Sequence, residues 1–201
     1  MLEDSALNNL RNSPINAIKS HLFCLEQNPT NPGLITLAPR KKILQHKQIT
    51  LFATNGGTRD YYFPFVSNGK GGIGCVTVPL GKINGGGIAI TPGMNGCALE
   101  IRKDQNNLYF YHDSDGKHIK RDGNNNSLII GDRKYRLEFQ DYESKFRYDE
   151  GRIAKGNFFI YQFICVLQRN MVEVVGFGLY LDGTQKVTGS FGAGHFGGFQ
   201  I

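Results

Sequence analysis

The chain has 201 residues, of which 40% are hydrophobic and 20% are charged, as in an ordinary globular domain with a sizeable core. No apolar run reaches the ~18 residues that span a bilayer, and the acidic N-terminus is not typical of a cleavable secretory signal. The net charge is +6, but the basic residues are dispersed. The densest basic run, Arg40 to Lys42, lacks interleaved aromatic residues and is predicted to be a solvated face, so no nucleic-acid partner is expected.

Residues 1–40 are predicted to form a helical segment followed by a linker. Apolar residues recur at helical spacing over Ile15–Gln27, after a candidate N-cap at Ser13 and a proline at the first helical position. The stretch Asn28–Arg40 contains three prolines and a glycine, which predicts a loop. Residues 41–201 are predicted to form the strand-rich domain, and the whole chain is expected to be one compact unit.

The strand-rich part is predicted to be antiparallel, because short apolar runs alternate with connections rich in glycine and asparagine. The resulting fold class is α+β, with two packed, mainly antiparallel sheets (a β-sandwich) and an N-terminal helix that covers an edge or a face. The predicted strands are Gln48–Ala53, Tyr61–Val66, Gly74–Val78, Gly87–Thr91, Cys97–Arg102, Asn107–Tyr111, Ser127–Ile130, Tyr135–Gln140, Phe158–Gln168, Val172–Leu181 and Lys186–Phe191.

The four cysteines contain no CxxC pair, which argues against a structural zinc site. Cys24 and Cys165 lie in apolar stretches and are predicted to be small buried hydrophobic residues. A chain of this size does not need disulfides, so free thiols and a reducing site of action are favoured. The string Asp113–Gly116 is similar to the start of a calcium loop, but the twelfth position is Asn124 and not the bidentate glutamate, so no metal is expected.

The segment between Ile88 and His118 carries the residues with chemical potential. Pro92, Gly93 and Gly96 are turn residues, and a hairpin turn is predicted near Asp104 and Gln105. A turn centred there pairs residues whose numbers sum to about 209, and Cys97 then lies directly opposite His112 on the same face of the sheet.

A thiol beside an imidazole can perform nucleophilic catalysis, since the ring stabilises the thiolate and can later protonate a leaving amine. A purely structural cysteine and histidine remain the alternative. Other candidates are Cys75 as the nucleophile, His118 as the base and His195 as a second functional imidazole. Cys75 has apolar neighbours that favour burial. His118 lies in a predicted exposed turn, and His195 lies in a glycine-rich segment.

The string Met94–Cys97 (MNGC), with His112 fifteen positions later, resembles the catalytic region of the cytotoxic necrotizing factor family of bacterial toxins, to which the more distant Burkholderia lethal factor belongs. The family motif is Leu-Ser-Gly-Cys, so two of its four positions differ here. The resemblance covers about 25 residues in the middle of the chain and implies an α/β arrangement built around a β-sandwich. It also implies that a main-chain carbonyl orients the histidine; Pro64 or Phe65 could offer one.

The resemblance implies a toxin or effector, secreted or injected by a bacterium, that deamidates a glutamine of a host protein in the host cytoplasm without a cofactor or metal. The implied catalytic residues are Cys97 and His112, and the turn at Gly96 and Cys97 would hold the oxyanion. A Rho-type GTPase or a translation factor is the implied kind of substrate. A transglutaminase, a cysteine protease, a non-enzymatic β-sandwich binding module and an adaptor for acidic partners remain alternatives.

Overall fold

The computed structural model describes residues 2–41, 47–83, 85–119, 129–153 and 155–201. Four helices occur in this part of the chain: α1 (Leu2–Asn12), α2 (Pro14–Ser20), α3 (Phe139–Glu143) and α4 (Glu150–Ile153). The first six strands are β1 (Leu22–Gln27), β2 (Gly33–Lys41), β3 (Gln48–Asn55), β4 (Asp60–Tyr62), β5 (Ile73–Pro79) and β6 (Gly87–Ile90). The last six are β7 (Ala98–Lys103), β8 (Asn107–Asp113), β9 (Asp132–Leu137), β10 (Phe158–Leu167), β11 (Met171–Leu181) and β12 (Val187–Gln200). None of these helices has the length and apolar character needed to cross a membrane.

The strands form two sheets. The large sheet has eight strands in the order β1-β3-β2-β4-β6-β10-β11-β12, and the small sheet has four in the order β5-β8-β7-β9. Most neighbours are antiparallel, but β1 pairs with β3 and β4 pairs with β6 in parallel. The prediction of a strand-rich α+β fold with two sheets is confirmed. The finer description as a sandwich is not established, because the large sheet is nearly barrel-shaped.

The large sheet has a hydrophobic cluster on each of its faces. One cluster combines residues of both sheets, among them Leu99, Phe110 and Phe163, so the small sheet packs on this face. The other cluster brings helical residues such as Leu10 and Ala17 together with strand residues of the large sheet. Helices α1 and α2 therefore cover the face opposite the small sheet.

Helix α1 is also held by a buried ion pair. The Arg11 guanidinium donates to both carboxylate oxygens of Asp60 at 2.6 Å, and it donates to the Gly86 carbonyl at 2.7 Å. The same carboxylate accepts the backbone N–H of Ile88 at 3.1 Å. The end of α1 is thus connected to β4 and to the start of β6.

The structure corrects the prediction for the first 40 residues. The helix predicted over Ile15–Gln27 ends at Ser20, and β1 follows it directly. The predicted linker Asn28–Arg40 is mostly strand β2, which pairs with β3 and β4 inside the large sheet. Phe23 and Cys24 are buried against this sheet, which explains why the apolar residues at helical spacing do not continue the helix.

Most of the other predicted strands are present with small changes at their ends. The prediction over Tyr61–Val66 is wrong beyond Tyr62, where β4 ends, and the one over Tyr135–Gln140 runs into α3. Ser127 and its neighbour lie outside the described residues, and the remaining two residues of that prediction are not in a strand.

The glycine-rich C-terminal segment is a strand of 14 residues whose pairing with β11 has three register shifts. A Cβ atom at Gly178 would lie 2.3 Å from the ring of Phe191, and one at Gly192 would lie 2.5 Å from the ring of Phe146. Glycines in β11 and β12 therefore make room for aromatic rings around Tyr161, where the Phe191 ring packs edge to face and the Phe146 ring stacks. This packing accounts for the combination of glycine and phenylalanine in the sequence.

Candidate functional site

The hairpin β7–β8 is formed as predicted, but its register differs by two residues. Asp104 accepts the backbone N–H groups of Asn106 and Asn107 at 2.8 Å, which centres the turn between Gln105 and Asn106. His112 therefore pairs with Leu99 and not with Cys97. The prediction of a directly opposed pair is wrong, because it centred the turn one residue too early.

A shift of two residues keeps side chains on the same face of a sheet. Cys97 immediately precedes β7, and both it and Leu99 belong to the cluster between the two sheets. His112, as the cross-strand partner of Leu99, faces the same way. The thiol and the imidazole are thus diagonal neighbours, a relation that spaces residues about 7–8 Å apart along a ladder and leaves them within reach of an aromatic side chain.

The His112 ring is fully buried and fixed on one side. Its Nδ1 lies 2.7 Å from the hydroxyl oxygen of Thr91, the residue that follows β6. The Phe65 ring contacts it edge to face, with 5.3 Å between centroids. Its Nε2 has no hydrogen-bond partner among the described residues. One ring nitrogen is therefore anchored, and the other is available for chemistry.

Cys97 is 5% exposed, and its main-chain carbonyl accepts a hydrogen bond from a residue of α3. The thiol lies 3.9 Å from the Asn95 carbonyl oxygen. The hydroxyl of Tyr142, a fully buried residue of α3, donates to the Cys97 carbonyl at 2.7 Å. No hydrogen bond joins Cys97 to His112 in the described part of the chain.

The turn before Cys97 is attached to the large sheet. Met94 and Tyr161 exchange two backbone hydrogen bonds of 2.8 Å, and the Asn95 amide donates to the Phe159 carbonyl at 3.3 Å. Gly96 has a φ of 82°, in the left-handed region that favours glycine. The left-handed backbone explains why glycine precedes Cys97 in the motif. The hydrogen bonds to β10 set the position of the turn.

Burial favours the neutral form of both candidate catalytic groups. Removal from water raises the pKa of the Cys97 thiol and lowers the pKa of His112 to about 4. That the ring stabilises a thiolate stays a prediction, and burial acts against the charged pair in the resting protein. At neutral pH the structure holds a thiol and an uncharged imidazole.

The other candidates are placed elsewhere. Cys75 pairs with Tyr111, so it faces away from His112, and burial raises its pKa to about 11. The His118 ring lies 3.1 Å from the Asn68 side-chain oxygen. His195 is in β12 and its ring bonds the carboxylate of Glu173. None of these three is brought to the imidazole of His112.

Asp113 anchors a turn and is not prepared for calcium. It accepts the backbone N–H groups of His118 and Ile119 at 2.9 and 2.8 Å, and Arg136 lies 3.3 Å away. No cluster of three or more histidine, cysteine or acidic side chains suited to a metal ion occurs among the described residues.

The similarity of this chain to known proteins is low. Neither a model of a protein family nor a curated protein matches it. Among solved structures it is similar to the C-terminal domain of CNFy from Yersinia pseudotuberculosis, with 11% identity and a TM-score of 0.30. The similarity covers 71% of this chain and 61% of that domain. A similarity of this level assigns neither the fold family nor the function.

Two residues of the site were not found from the sequence. Thr91 was placed at the end of a predicted strand, but its distance to His112 depends on how the two sheets pack. Tyr142 lies in α3, which was not predicted, and reaches Cys97 across 45 positions of sequence. The local signal in the sequence was that Thr91 is a polar residue next to the Pro92–Gly93 turn.

Burial of the His112 imidazole makes the free energy of unfolding depend on pH. A histidine whose pKa is lower in the folded protein than the usual 6.5 stabilises the fold above that pH, and the contribution is lost as the pH falls towards about 4. A shift of this size corresponds to about 3 kcal/mol. Urea unfolding between pH 7.5 and 4 should show this decline in the wild type and a flatter profile in His112→Gln. Equal slopes for the two proteins would contradict the assignment.

Proposed function

We propose that this chain is a cysteine hydrolase that deamidates a glutamine side chain of a protein, with Cys97 as nucleophile and His112 as base. One observation carries the proposal: an anchored, buried imidazole, with one nitrogen unpartnered among the described residues, points to the same side as a thiol at the start of the adjoining strand. The resemblance of Met94–Cys97 and His112 to the toxin motif supports the choice of amide hydrolysis.

Thr91 is proposed to set the tautomer of the ring. If Nδ1–H donates to the hydroxyl oxygen at 2.7 Å, Nε2 carries the lone pair that can accept a proton. The Gln162 amide donates to the Thr91 carbonyl at 2.8 Å and holds this residue in place. The proposed orienting group is a side-chain hydroxyl, whereas the family resemblance implied a main-chain carbonyl.

The first chemical step follows from the neutral state of both groups. As the sulfur attacks the carboxamide carbon, the thiol proton passes to Nε2 of His112, so that no free thiolate is required beforehand. The transfer requires the sulfur and Nε2 to come within hydrogen-bond distance, or one water to bridge them. The backbone N–H of Cys97 and a donor of the Gly96 turn would hold the oxyanion.

The second half of the reaction releases ammonia and restores the thiol. The imidazolium of His112 protonates the departing nitrogen as the carbon–nitrogen bond breaks, which leaves a thioester on Cys97. His112 then takes a proton from water, which attacks the thioester, and it returns that proton to the sulfur. The net reaction consumes one water and turns the amide into a carboxylate and ammonium.

The proposed setting is that of a bacterial toxin or effector, secreted or injected, that acts in a host cytoplasm. The substrate would be a regulatory host protein, such as a Rho-type GTPase or a translation factor. Four thiols suit a reducing compartment. This setting comes from the motif resemblance, and nothing in the site selects one host protein over another.

Intact-protein mass spectrometry tests the proposal. Host-cell extract, or purified candidate proteins, is incubated with the wild type or with Cys97→Ser. We expect one protein to gain the mass difference between OH and NH2, with the change located at a glutamine, only with the wild type. Incorporation of an added primary amine would instead identify a transglutaminase, and no covalent change in any protein would favour a binding module.

Replacing Thr91 separates orientation of the ring from folding. In Thr91→Ala the buried Nδ1 loses its partner, so we expect a loss of about 1–3 kcal/mol in unfolding free energy and a lower kcat. Thr91→Ser keeps the hydroxyl and should retain most of both. Urea unfolding and ammonia release measure the two effects. A serine variant as impaired as the alanine variant would argue against the hydroxyl as the orienting group.

A further inference from the structure

Phe65 combines two properties that seldom occur in one side chain. It is 50% exposed, yet its ring contacts His112, which is 0% exposed. Large aromatic side chains are mostly buried, so an exposed one beside a candidate catalytic group calls for an explanation. The ring is thus both a wall of the buried site and part of the molecular surface.

The main chain on both sides of Phe65 is fixed. A Cβ atom at Gly74 would lie 1.7 Å from the Pro64 carbonyl oxygen, so this carbonyl sits directly against the residue that pairs with His112. On the other side the Ser114 hydroxyl donates to the Val66 carbonyl at 2.9 Å. The backbone is thus anchored twice, and rotation of the Phe65 side chain is the simplest way to expose His112.

The described residues that contact the His112 ring, Thr91 and Phe65, carry no charge. Burial lowers the pKa of the ring. The groups that face it from the packed elements are the Cys97 thiol before β7 and the Thr91 hydroxyl after β6, with Tyr61 of β4 in the same cluster. Asp113 and Cys75, on β8 and β5, occupy neighbouring ladder positions and so face the other side of the small sheet.

We propose that the phenyl ring of Phe65 is the removable cover of the His112 imidazole, which keeps water from the ring at rest and is the side chain that an arriving substrate contacts. The first part stands on the geometry alone, and the second rests on the proposed function. A substrate that packs on Phe65 would take over the exclusion of water while the reaction proceeds.

The first part is tested without any substrate, by NMR titration of histidine side chains. The His112 signal is assigned by its absence in His112→Gln. From its wild-type value of about 4, we expect the His112 pKa in Phe65→Ala to rise by at least about one unit towards the usual 6.5. Phe65→Leu should give an intermediate value. An unchanged pKa in Phe65→Ala would overturn the proposal.

Phe158→Ala is the matched control, because Phe158 is also an exposed phenylalanine, at 58%, and its ring is not among those that contact His112. It should leave the His112 titration in place, and an equal shift in this variant would overturn the specific role of Phe65. With a deamidated protein identified, Phe65→Ala should raise KM several-fold. A change in kcat alone would overturn the substrate contact. Absence of wild-type activity would reject the proposed function while the titration still tests the cover.

Discussion

Cys97→Ser is expected to lower ammonia release by at least about a thousandfold, the scale on which loss of a catalytic nucleophile acts. The serine hydroxyl occupies the same position but is a far weaker nucleophile beside a base whose pKa is only about 4. The measurement is single-turnover ammonia release or the rate of mass change in the protein substrate. The circular dichroism spectrum and urea midpoint of the variant should remain close to those of the wild type.

Cys75→Ser provides the control for this prediction. Cys75 is a partly buried thiol of the same small sheet, but it faces away from His112. Its replacement should leave the rate within a factor of about two, because nothing in the proposed reaction uses it. Substantial activity in Cys97→Ser, or equal losses in both variants, would remove Cys97 from the mechanism.

Arg11→Met is expected to cause the largest loss of stability, about 3–5 kcal/mol, because it leaves the Asp60 carboxylate buried without its counter-ion. Two charge-assisted hydrogen bonds of 2.6 Å and a third bond to the Gly86 carbonyl disappear together. Urea unfolding at pH 7 gives the free energy. The loss should be accompanied by detachment of α1, visible as faster amide exchange in that helix.

The double variant Arg11→Met, Asp60→Asn distinguishes a stranded charge from lost packing. Asparagine keeps an acceptor for the Ile88 N–H, which lies 3.1 Å from the carboxylate, but carries no charge. We expect the double variant to be more stable than Arg11→Met alone. If the second change adds to the loss, the charge of Asp60 is not the cause of the instability.

The sequence was informative wherever local chemistry decides the structure. The hairpin β7–β8, the left-handed turn at Gly96 and the long apolar strands β10 and β11 all follow from residues close together in the chain. The register was missed by two because one side chain, that of Asp104, moves the turn centre by a single residue. Each step of the turn centre changes the sum of paired residue numbers by two, so small errors at a hairpin double along its strands.

The remaining differences come from contacts between distant parts of the chain. Strand β1 pairs in parallel with β3. Parallel strands are not joined by a hairpin, so no turn motif in the sequence predicts this pairing. Pro39 lies inside β2 opposite Leu51, so one missing N–H did not prevent a strand. The titration of His112 likewise depends on burial by Phe65 and by the large sheet, which spacing alone does not reveal.

The β-bridge between Met94 and Tyr161 also affects when the site can form during translation. The turn that presents Cys97 rests on a strand made more than sixty residues later, and the Tyr142 hydroxyl arrives on the way. A nascent chain that has just completed the hairpin therefore has its thiol and imidazole but lacks the support that aligns them. Whatever reactivity Cys97 has in the finished fold is withheld until β10 has been synthesised and has paired with the turn.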